Sequence, residues 1–504
     1  MNSLDTIHSA EQILRFIKTK KDGFWSRERE RRPLRLFHAA ARRVPAYKDF
    51  LRKHKINPSK IKTFKDFQFV PPVSKKNYLR KYPLEKLCWD GTLKKPLVWT
   101  STSGSTGDPF YFPRGEQLDW EYSVMAEMFL RNSSYESGGP VLIMICFGMG
   151  IWIGGLITYQ AFEMATRRAN YRASIVTPGI NKPEIMNVLT RLAPQYKETI
   201  IVAYPPFLKD ILDEATAKGI NFRKLNVRLF SAAEAYTEKF REHITKKAGV
   251  KNLYLDTLNI YGTADIGAMA WETPISILIR RLAMRNVKFF NDVFGRIDKT
   301  PTLAQYNPLF ISFEAVEGEI ILTGNNALPL VRYSIGDHGG AFNFADVKEM
   351  LERHGVKLEK EGEKVGVARV IYKLPFVYVY ERSDFSVVLS GANIYPEEIR
   401  EALQHDSLEK FVTTKFTLRI KSDRSYTEYL EINIELKPKV KTRDLKKLEQ
   451  NARDLVVATL LRRNSEYHAI HSGKIKGVVP KIVFWPYEHP LHFSRGIKQK
   501  WVKK

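Results

Sequence analysis

The chain has 504 residues, a length that suits two or three domains, and 44% of them are hydrophobic and 27% charged. This composition excludes a mainly disordered protein. The two cysteines, Cys88 and Cys146, exclude a disulfide framework and a four-cysteine zinc site. The charge is unusual, because 81 Lys and Arg residues against 55 Asp and Glu residues leave a formal net charge of +26.

Both ends of the chain are basic. Residues 1–80 hold 21 Lys and Arg against 7 Asp and Glu, and residues 382–504 hold 24 against 15. Such a region either attracts a polyanion, such as nucleic acid, acidic lipid or a phosphate-rich ligand, or is simply a solvated surface. We predict no specific nucleic-acid site.

Segment 140–162 contains no charged residue and is long enough to span a bilayer. Its first part, 141–146, is however a compact β-type run, and Gly148 and Gly150 follow it. This order favours a buried strand followed by a turn. The N-terminus lacks the basic-then-apolar start of a signal peptide. We therefore predict no transmembrane span and a cytoplasmic protein.

Short apolar runs alternate with helical patterns through most of the chain, which predicts an α/β fold with helix-covered sheets. Strands are predicted at 199–203 and 227–232, and helices follow them at 206–218 and 237–247. Beyond Glu381 the pattern changes to a helix after Pro396 and alternating strands such as 426–436.

The predicted organisation is a large N-terminal body, residues 1–380, and a small C-terminal α+β domain, residues 381–504. Within the body, residues 1–80 form a basic helical region, because apolar residues at helical spacing follow the charged run 27–35.

The strongest local motif is TSTSGSTGDP, residues 100–109, directly after the apolar LVW. Its small hydroxyl residues and two glycines leave the backbone open, so several N–H groups and hydroxyls can converge on one phosphate. No GK[ST] follows, so the motif is not a Walker loop. By itself, such a cluster is also compatible with a plain flexible loop.

Three further segments are NIYGTADIG (259–267), VRYSIGDHGG (331–340) and ERSDFSVVLSGANIYPEE (381–398). Together with the Ser/Thr/Gly loop, in this order and at these spacings, they resemble motifs of the adenylate-forming superfamily of acyl-CoA synthetases and adenylation domains.

Other segments narrow the resemblance to one branch of that superfamily. RVPAYKDFLRKHKI from Arg43, FVPPVSKKNYLRKYP from Phe69, FGMGIWIGG from Phe147 and AAEAYTEKFREHI from Ala232 resemble segments of the phenylacetate–CoA ligase branch, which includes capsule-biosynthesis relatives. The resemblance covers nearly the whole chain. It implies a large adenylate-forming body and a small mobile C-terminal domain.

The resemblance implies an ATP site and assigns residues to it. The loop that holds the β- and γ-phosphates corresponds to Thr102, Ser103, Gly104, Ser105, Thr106 and Gly107. The adenine and ribose contacts correspond to Ala233, Glu234, Asn259, Tyr261, Gly262, Asp337 and Arg382. Tyr261 stacks on adenine in this assignment. Asp337 accepts both ribose hydroxyls, a role that needs an ionised bidentate acceptor.

Two positions depart from the family pattern. Asp108 replaces a basic residue frequently found beside the phosphate loop, so one counter-charge for the phosphates is expected elsewhere. Asp265 stands where the family usually has a Glu that meets Mg²⁺ and orients the substrate carboxylate, and its side chain is shorter by one methylene. We assign Asp265 as a catalytic residue and as the Mg²⁺ contact.

Each assignment has a structural alternative. Tyr261 could be an ordinary aromatic at a strand end, and Asp337 a plain turn former. Arg382 could form a surface ion pair with Asp384. The His, Asp and Glu residues show no spacing typical of a metal cluster, so only the Mg²⁺ that accompanies ATP is implied.

The resemblance also implies that the small domain alternates between two orientations. Asp384 corresponds to the hinge. The loop that then lines the CoA channel contains Ser390, Gly391 and Ala392. Lys498 corresponds to a catalytic lysine that contacts acyl and phosphate oxygens, where negative charge builds up during adenylyl transfer. Lys500 competes for this role, and both could be solvated tail charges.

The reaction implied is a two-step ligation that uses ATP, Mg²⁺ and coenzyme A. An organic acid is activated to an acyl-adenylate, and its acyl group then passes to CoA. An aryl or arylalkyl acid suits the predicted acyl pocket, whose residues would also serve as plain core: Phe147, Met149, Ile151, Trp152 and Tyr204. Transfer to an amine or carrier protein, and a non-catalytic nucleotide or polyanion binder, are open alternatives. A homodimer is also left open.

Overall fold

The computed structural model describes most of the chain. The described residues are 8–94, 97–101, 110–149, 153–232, 235–295, 300–380, 387–389, 392–423, 428–438, 440, 445–472, 477–490 and 492–493.

The described α-helices are, in chain order, α1 (Ala10–Thr19), α2 (Asp22–Arg43), α3 (Pro45–Lys53), α4 (Phe64–Phe67), α5 (Leu84–Leu87), α6 (Glu116–Arg131), α7 (Ile153–Arg168), α8 (Lys182–Asn187), α9 (Pro205–Ala217), α10 (Glu238–Ala248), α11 (Pro274–Ala283), α12 (Val287–Phe294), α13 (Phe344–Arg353), α14 (Leu358–Lys364), α15 (Pro396–Leu403), α16 (Asp406–Glu409), α17 (Leu445–Arg463) and α18 (Ser465–Ser472).

The described strands are β1 (Val98–Ser101), β2 (Tyr111–Arg114), β3 (Val141–Ile145), β4 (Ala173–Val176), β5 (Glu198–Ala203), β6 (Val227–Ala232), β7 (Thr257–Thr263), β8 (Gly267–Trp271), β9 (Thr302–Gln305), β10 (Ile311–Val316), β11 (Glu319–Gly324), β12 (Leu330–Phe342), β13 (Phe376–Tyr380), β14 (Val387–Leu389), β15 (Ala392–Ile394), β16 (Val412–Ser422), β17 (Glu428–Leu436) and β18 (Lys481–Trp485).

A sheet of eleven strands, in the order β10-β11-β12-β13-β9-β8-β7-β6-β5-β3-β4, forms the centre of the body. Strands β4, β3, β5, β6 and β7 pair in parallel, and the rest of the sheet is antiparallel. Every residue of β5 is buried, as expected for a parallel strand covered by helices on both faces. A single residue pair, Trp271 with Gln305, joins β8 to β9.

Local sequence signals explain where the covering helices begin and end. Pro205 occupies the first turn of α9, where a missing N–H costs little. The Thr237 side chain accepts from the Phe240 amide to cap α10, and Gly249 ends the same helix in the left-handed conformation with φ of 63°. The α/β fold class is confirmed, and the strands and helices predicted between residues 199 and 247 are all present.

Segment 140–162 forms β3 and the first part of α7. Among the helices of the described chain, none is both long and apolar enough to cross a bilayer.

The residues after 387 form a separate sheet, in the order β16-β17-β18, with β17 and β18 parallel. Helices α15 and α17 pack beside each other, and apolar residues from 387 to 482 share one buried cluster. The 19-residue α17 was not among the predicted elements. The domain boundary at 380/381 stays a prediction, because residues 381–386 lie outside the described chain.

Charged side chains connect this C-terminal part to α9 and α10 of the body. Lys239 Nζ lies 2.9 Å from Glu401 Oε1, and Lys247 Nζ lies 3.0 Å from Glu409 Oε1. Lys247 also binds Asp213, which pairs with Lys437 at 3.2 Å. Ion pairs therefore contribute to the contact between the two parts.

Candidate active site

The tight β7–β8 hairpin carries several of the predicted residues. Gly262 lies so close to the facing strand that a Cβ atom there would approach the Gly267 carbonyl oxygen to 2.6 Å, and only glycine fits without a shift. Tyr261 precedes Gly262 on β7, and Asp265 lies in the turn before β8. The glycine therefore allows the two strands that flank the Asp265 turn to approach closely.

Tyr261 and Asp337, which are 76 residues apart in sequence, are in direct contact. The Tyr261 hydroxyl donates a hydrogen bond of 2.7 Å to Asp337 Oδ2. Asp337 lies on β12 and is 7% exposed. A carboxylate has about four acceptor positions, so the bond from Tyr261 does not by itself use the full accepting capacity of Asp337.

Asp265 is held by two side chains from distant parts of the chain. Its Oδ2 accepts a 2.6 Å hydrogen bond from the Tyr333 hydroxyl on β12, and its Oδ1 lies 2.9 Å from Lys75 Nζ. Asp265 is 3% exposed, whereas the Lys75 side chain is 33% exposed. The carboxylate therefore lies beneath the ammonium group, whose two other N–H donors can bind an anion from the solvent side.

The hairpin β1–β2, which flanks residues 102–109, lies against this group. Lys75 Nζ is 5.8 Å from the centre of the Phe112 ring on β2. A Cβ atom at Gly267 would come within 2.9 Å of Arg114 Nη1, at the end of β2. Both contacts place strand β2 beside the β7–β8 turn that carries Asp265.

Arg114 fixes the end of β2 from inside the protein. Its guanidinium is 2% exposed and lies 3.0 Å from Asp119 Oδ1 on α6. Burial lowers the pKa of Arg114, and the pairing with Asp119 offsets only part of that effect. Arg114 therefore joins the end of β2 to helix α6.

The described part of the predicted acyl pocket contains Phe147, Met149 and Tyr204. The Phe147 and Tyr204 rings are 4.6 Å apart and tilted by 58°. Phe147 is fully buried within the largest core cluster, while Met149 is 40% exposed. Of the three side chains, Met149 is the most accessible to a ligand, and Phe147 packs against Tyr204 in the core.

Asn259 is buried on β7, in the same strand as Tyr261, and Ala392 is buried on β15. Other predicted site residues lie outside the described residues: Thr102, Ser103, Gly104, Ser105, Thr106, Gly107, Asp108, Ile151, Trp152, Ala233, Glu234, Arg382, Asp384, Ser390, Gly391, Lys498 and Lys500.

Three residues of this group received no role from the sequence: Lys75, Arg114 and Tyr333. Lys75 and Tyr333 both lie inside segments that carry the family resemblance, FVPPVSKKNYLRKYP and VRYSIGDHGG. One signal could have identified Lys75: Asp108 stands where the family frequently has a basic residue. A phosphate site without that positive charge needs another cation nearby.

In the part of the chain that the structure describes, no group of three His, Cys, Asp or Glu side chains could hold a metal ion. An oxygen ligand such as Asp265 suits Mg²⁺ chemically. The negative charge of Asp265 is, however, already balanced by Lys75. Contact of Asp265 Oδ1 with a magnesium ion therefore requires Lys75 to release or share this oxygen.

Comparison with known proteins identifies relatives of the chain. No family model matches it. It is 20% identical to phenylacetate-coenzyme A ligase of Aromatoleum evansii over 413 residues, 78% of each chain. It is also 20% identical to the enzyme of that name from Pseudomonas putida over 446 residues, 85% of this chain and 84% of the relative.

A solved 2-hydroxyisobutyryl-CoA ligase, in the postadenylation state with R3-HIB-AMP, has a similar fold. The TM-score is 0.65 at 17% identity, over 100% of this chain and 95% of that one. The predicted resemblance is confirmed: the chain is phenylacetate–CoA ligase-like in sequence and has the fold of the adenylate-forming enzymes.

Proposed function

We propose that this chain activates an organic carboxylic acid with ATP and transfers the acyl group to coenzyme A. In the first step a carboxylate oxygen attacks the α-phosphorus of ATP, the bond to pyrophosphate breaks, and pyrophosphate leaves. In the second step the CoA sulfur attacks the acyl carbon, the bond to AMP breaks, and the thiol proton is lost. The protein supplies charge and position rather than a nucleophile of its own.

The observation that carries this proposal is the meeting of β7, β12 and Lys75 beside the β1–β2 hairpin. Tyr261 contacts Asp337 and Asp265 contacts Lys75, so one hairpin joins a group suited to a nucleoside and a group suited to anionic oxygens. Asp337 is the proposed acceptor for the ribose hydroxyls, with Tyr261 fixing its orientation and stacking on adenine. Lys75 is the proposed cation for a phosphate or carboxylate oxygen, with Asp265 beneath it.

Several roles stay proposals that follow from the family resemblance. We assign the phosphate loop to 102–107, the hinge to Asp384, the CoA-channel loop to 390–392, and the adenylation lysine to Lys498. Mg²⁺ enters with ATP as part of the substrate. The names of the relatives and the aromatic pair of Phe147 and Tyr204 favour an aryl or arylalkyl acid.

The test is acid-dependent exchange of labelled pyrophosphate into ATP across a panel of aryl, arylalkyl and short aliphatic acids. We expect exchange with at least one acid, and AMP release that increases when CoA is added. Asp337→Ala should lose exchange, while the exposed surface variant Asp454→Ala on α17 should keep it. No exchange with any acid would contradict the proposal, and AMP release that does not depend on CoA would contradict its second step.

A further inference from the structure

An exposed phenylalanine projects from a basic segment of the N-terminal region. Phe69 is 77% exposed, more than any other large apolar side chain among the described residues. The buried side chains on either side of it in the chain are Phe67 and Val70. Most of the Phe69 ring therefore faces solvent. A single exposed apolar side chain is common on protein surfaces, so its meaning here depends on the charged residues around it.

The backbone around Phe69 is fixed by a buried arginine. The Arg332 Nη1 group donates to the carbonyl oxygens of Gln68 and Val70, on either side of Phe69. Arg332 is 3% exposed and its Nε donates to Glu314 Oε1 at 3.1 Å. Because these bonds hold the two neighbouring peptide groups, Phe69 is directed outward by the fold.

The backbone that follows Phe69 is attached to the large sheet. The Val73 amide donates to the Arg332 carbonyl at 2.9 Å, and the Ser334 amide donates to the Val73 carbonyl at 2.8 Å. The segment thus runs beside β12, which also carries Asp337. The backbone that carries Phe69 is therefore fixed by hydrogen bonds to the sheet. Binding of a partner to the ring would not cost the conformational entropy of ordering a loop.

The residues around Phe69 are strongly basic. Segment 60–81 contains seven Lys and Arg residues and one acidic residue, Asp66. The Asp66 carboxylate accepts from the amides of Lys62 and Thr63, at the start of α4. The exposed lysines of this segment are Lys60, Lys62, Lys65, Lys76 and Lys81.

We propose that segment 60–81 binds an anionic lipid surface, with Phe69 inserted at the boundary between headgroups and acyl chains. Lysines near a negatively charged membrane surface attract it electrostatically, and an apolar ring adds burial that does not depend on charge. A single-stranded nucleic acid fits less well, because it stacks on several successive rings, and the other aromatic residues of this segment are buried or half-buried. The proposal is independent of the catalytic function.

The experiment is co-sedimentation of the full chain with vesicles of phosphatidylcholine alone or with about 30% phosphatidylglycerol, in about 50 to 500 mM NaCl. We expect binding to the anionic vesicles that falls with salt. Phe69→Ala should weaken it about fivefold or more, as expected for loss of a buried apolar ring. Lys62→Glu combined with Lys65→Glu should abolish it. Val287→Ala, which shortens another exposed apolar side chain, is the matched control and should not change it.

A second measurement tests insertion directly. In the Phe69→Trp variant, bromine-labelled lipids should quench additional tryptophan fluorescence relative to the wild-type protein. All Phe69 variants should keep pyrophosphate exchange in solution, so a failure of lipid binding and a failure of catalysis can be told apart. Equal binding to neutral vesicles, binding unaffected by Phe69→Ala, or no extra quenching would overturn the proposal. Binding to single-stranded DNA that is tighter than to anionic vesicles, and lost in Phe69→Ala, would overturn it as well.

Discussion

The pair of Lys75 and Asp265 gives the sharpest test of the candidate site. The change is Lys75→Met, which keeps an unbranched stem against the Phe112 ring but removes the ammonium group. Asp265 then stays buried with only the Tyr333 hydroxyl as partner among these side chains. A buried carboxylate that loses its cation is costly, because neither water nor another charge can replace the lost interaction fully.

The structure limits the size of this effect. Removal of one partner from a fully buried ion pair costs about 3–5 kcal/mol, and a hydrogen bond to a charged group contributes about 1.5–3 kcal/mol. Lys75 is one-third exposed, so water can reach Asp265 Oδ1 when the ammonium group is removed. We therefore expect the free energy of unfolding to fall by about 1.5–3 kcal/mol.

A double-mutant cycle separates this interaction from other effects of the substitutions. Lys75→Met, Asp265→Asn and the double variant are unfolded with urea, and pyrophosphate exchange is measured for each. We expect a coupling energy of about 1–2 kcal/mol, because the neutral amide introduced by Asp265→Asn no longer needs the cation. Exchange should decrease in Lys75→Met even where the protein is fully folded. A coupling energy near zero, or normal exchange in Lys75→Met, would refute the role given to this lysine.

Three further predictions concern the nucleotide contacts, the hairpin and the C-terminal interface. Asp337→Ala should weaken ATP binding in calorimetric titration by about 1.5–3 kcal/mol, and Tyr261→Phe by less, because it removes only one donor to that carboxylate. Gly262→Ala should lower the melting temperature and exchange, since its Cβ meets a backbone oxygen, whereas Gly115→Ala has open space and should change little. Burial favours a raised pKa for Asp213, but its lysine partners outweigh burial and lower the pKa. The contribution of Asp213 to the free energy of unfolding should thus be complete above about pH 4 and decline as the pH falls. In urea unfolding, Asp213→Asn should be less stable than the wild-type protein by about 3 kcal/mol near pH 7, and this difference should become smaller at acidic pH.

The sequence predicted the fold class well because its signals are local. Parallel strands such as β5 and β6 are continuous apolar runs, and the helices between them begin and end at proline, threonine or glycine signals. Helix α17 was missed because its apolar residues are spread around the helix among many charges, which leaves only a weak helical pattern. Its helical conformation is supported by packing against α15, a contact that does not show in the sequence.

The candidate site was predictable only in part. Family motifs indicated Tyr261, Asp265 and Asp337 individually, and the structure shows which of them meet. Neither the Tyr261–Asp337 bond nor the Asp265–Tyr333 bond can be read from spacing, because both depend on how β12 lies relative to the β7–β8 hairpin. Lys75 could not be singled out, because the N-terminal region contains many basic residues and the sequence does not distinguish a lysine in a site from a solvated one.

The basic N-terminal region holds an inward-facing and an outward-facing side chain in one stretch of chain, and we propose a different role for each. Lys75 points inward to Asp265, while Phe69, six residues earlier, points outward with exposed lysines on both sides. Both are fixed to β12, Lys75 through Asp265 and Tyr333 and Phe69 through Arg332. The proposed substrates, ATP, CoA and a carboxylate, are all anions, so a basic surface beside the site raises their local concentration before they bind.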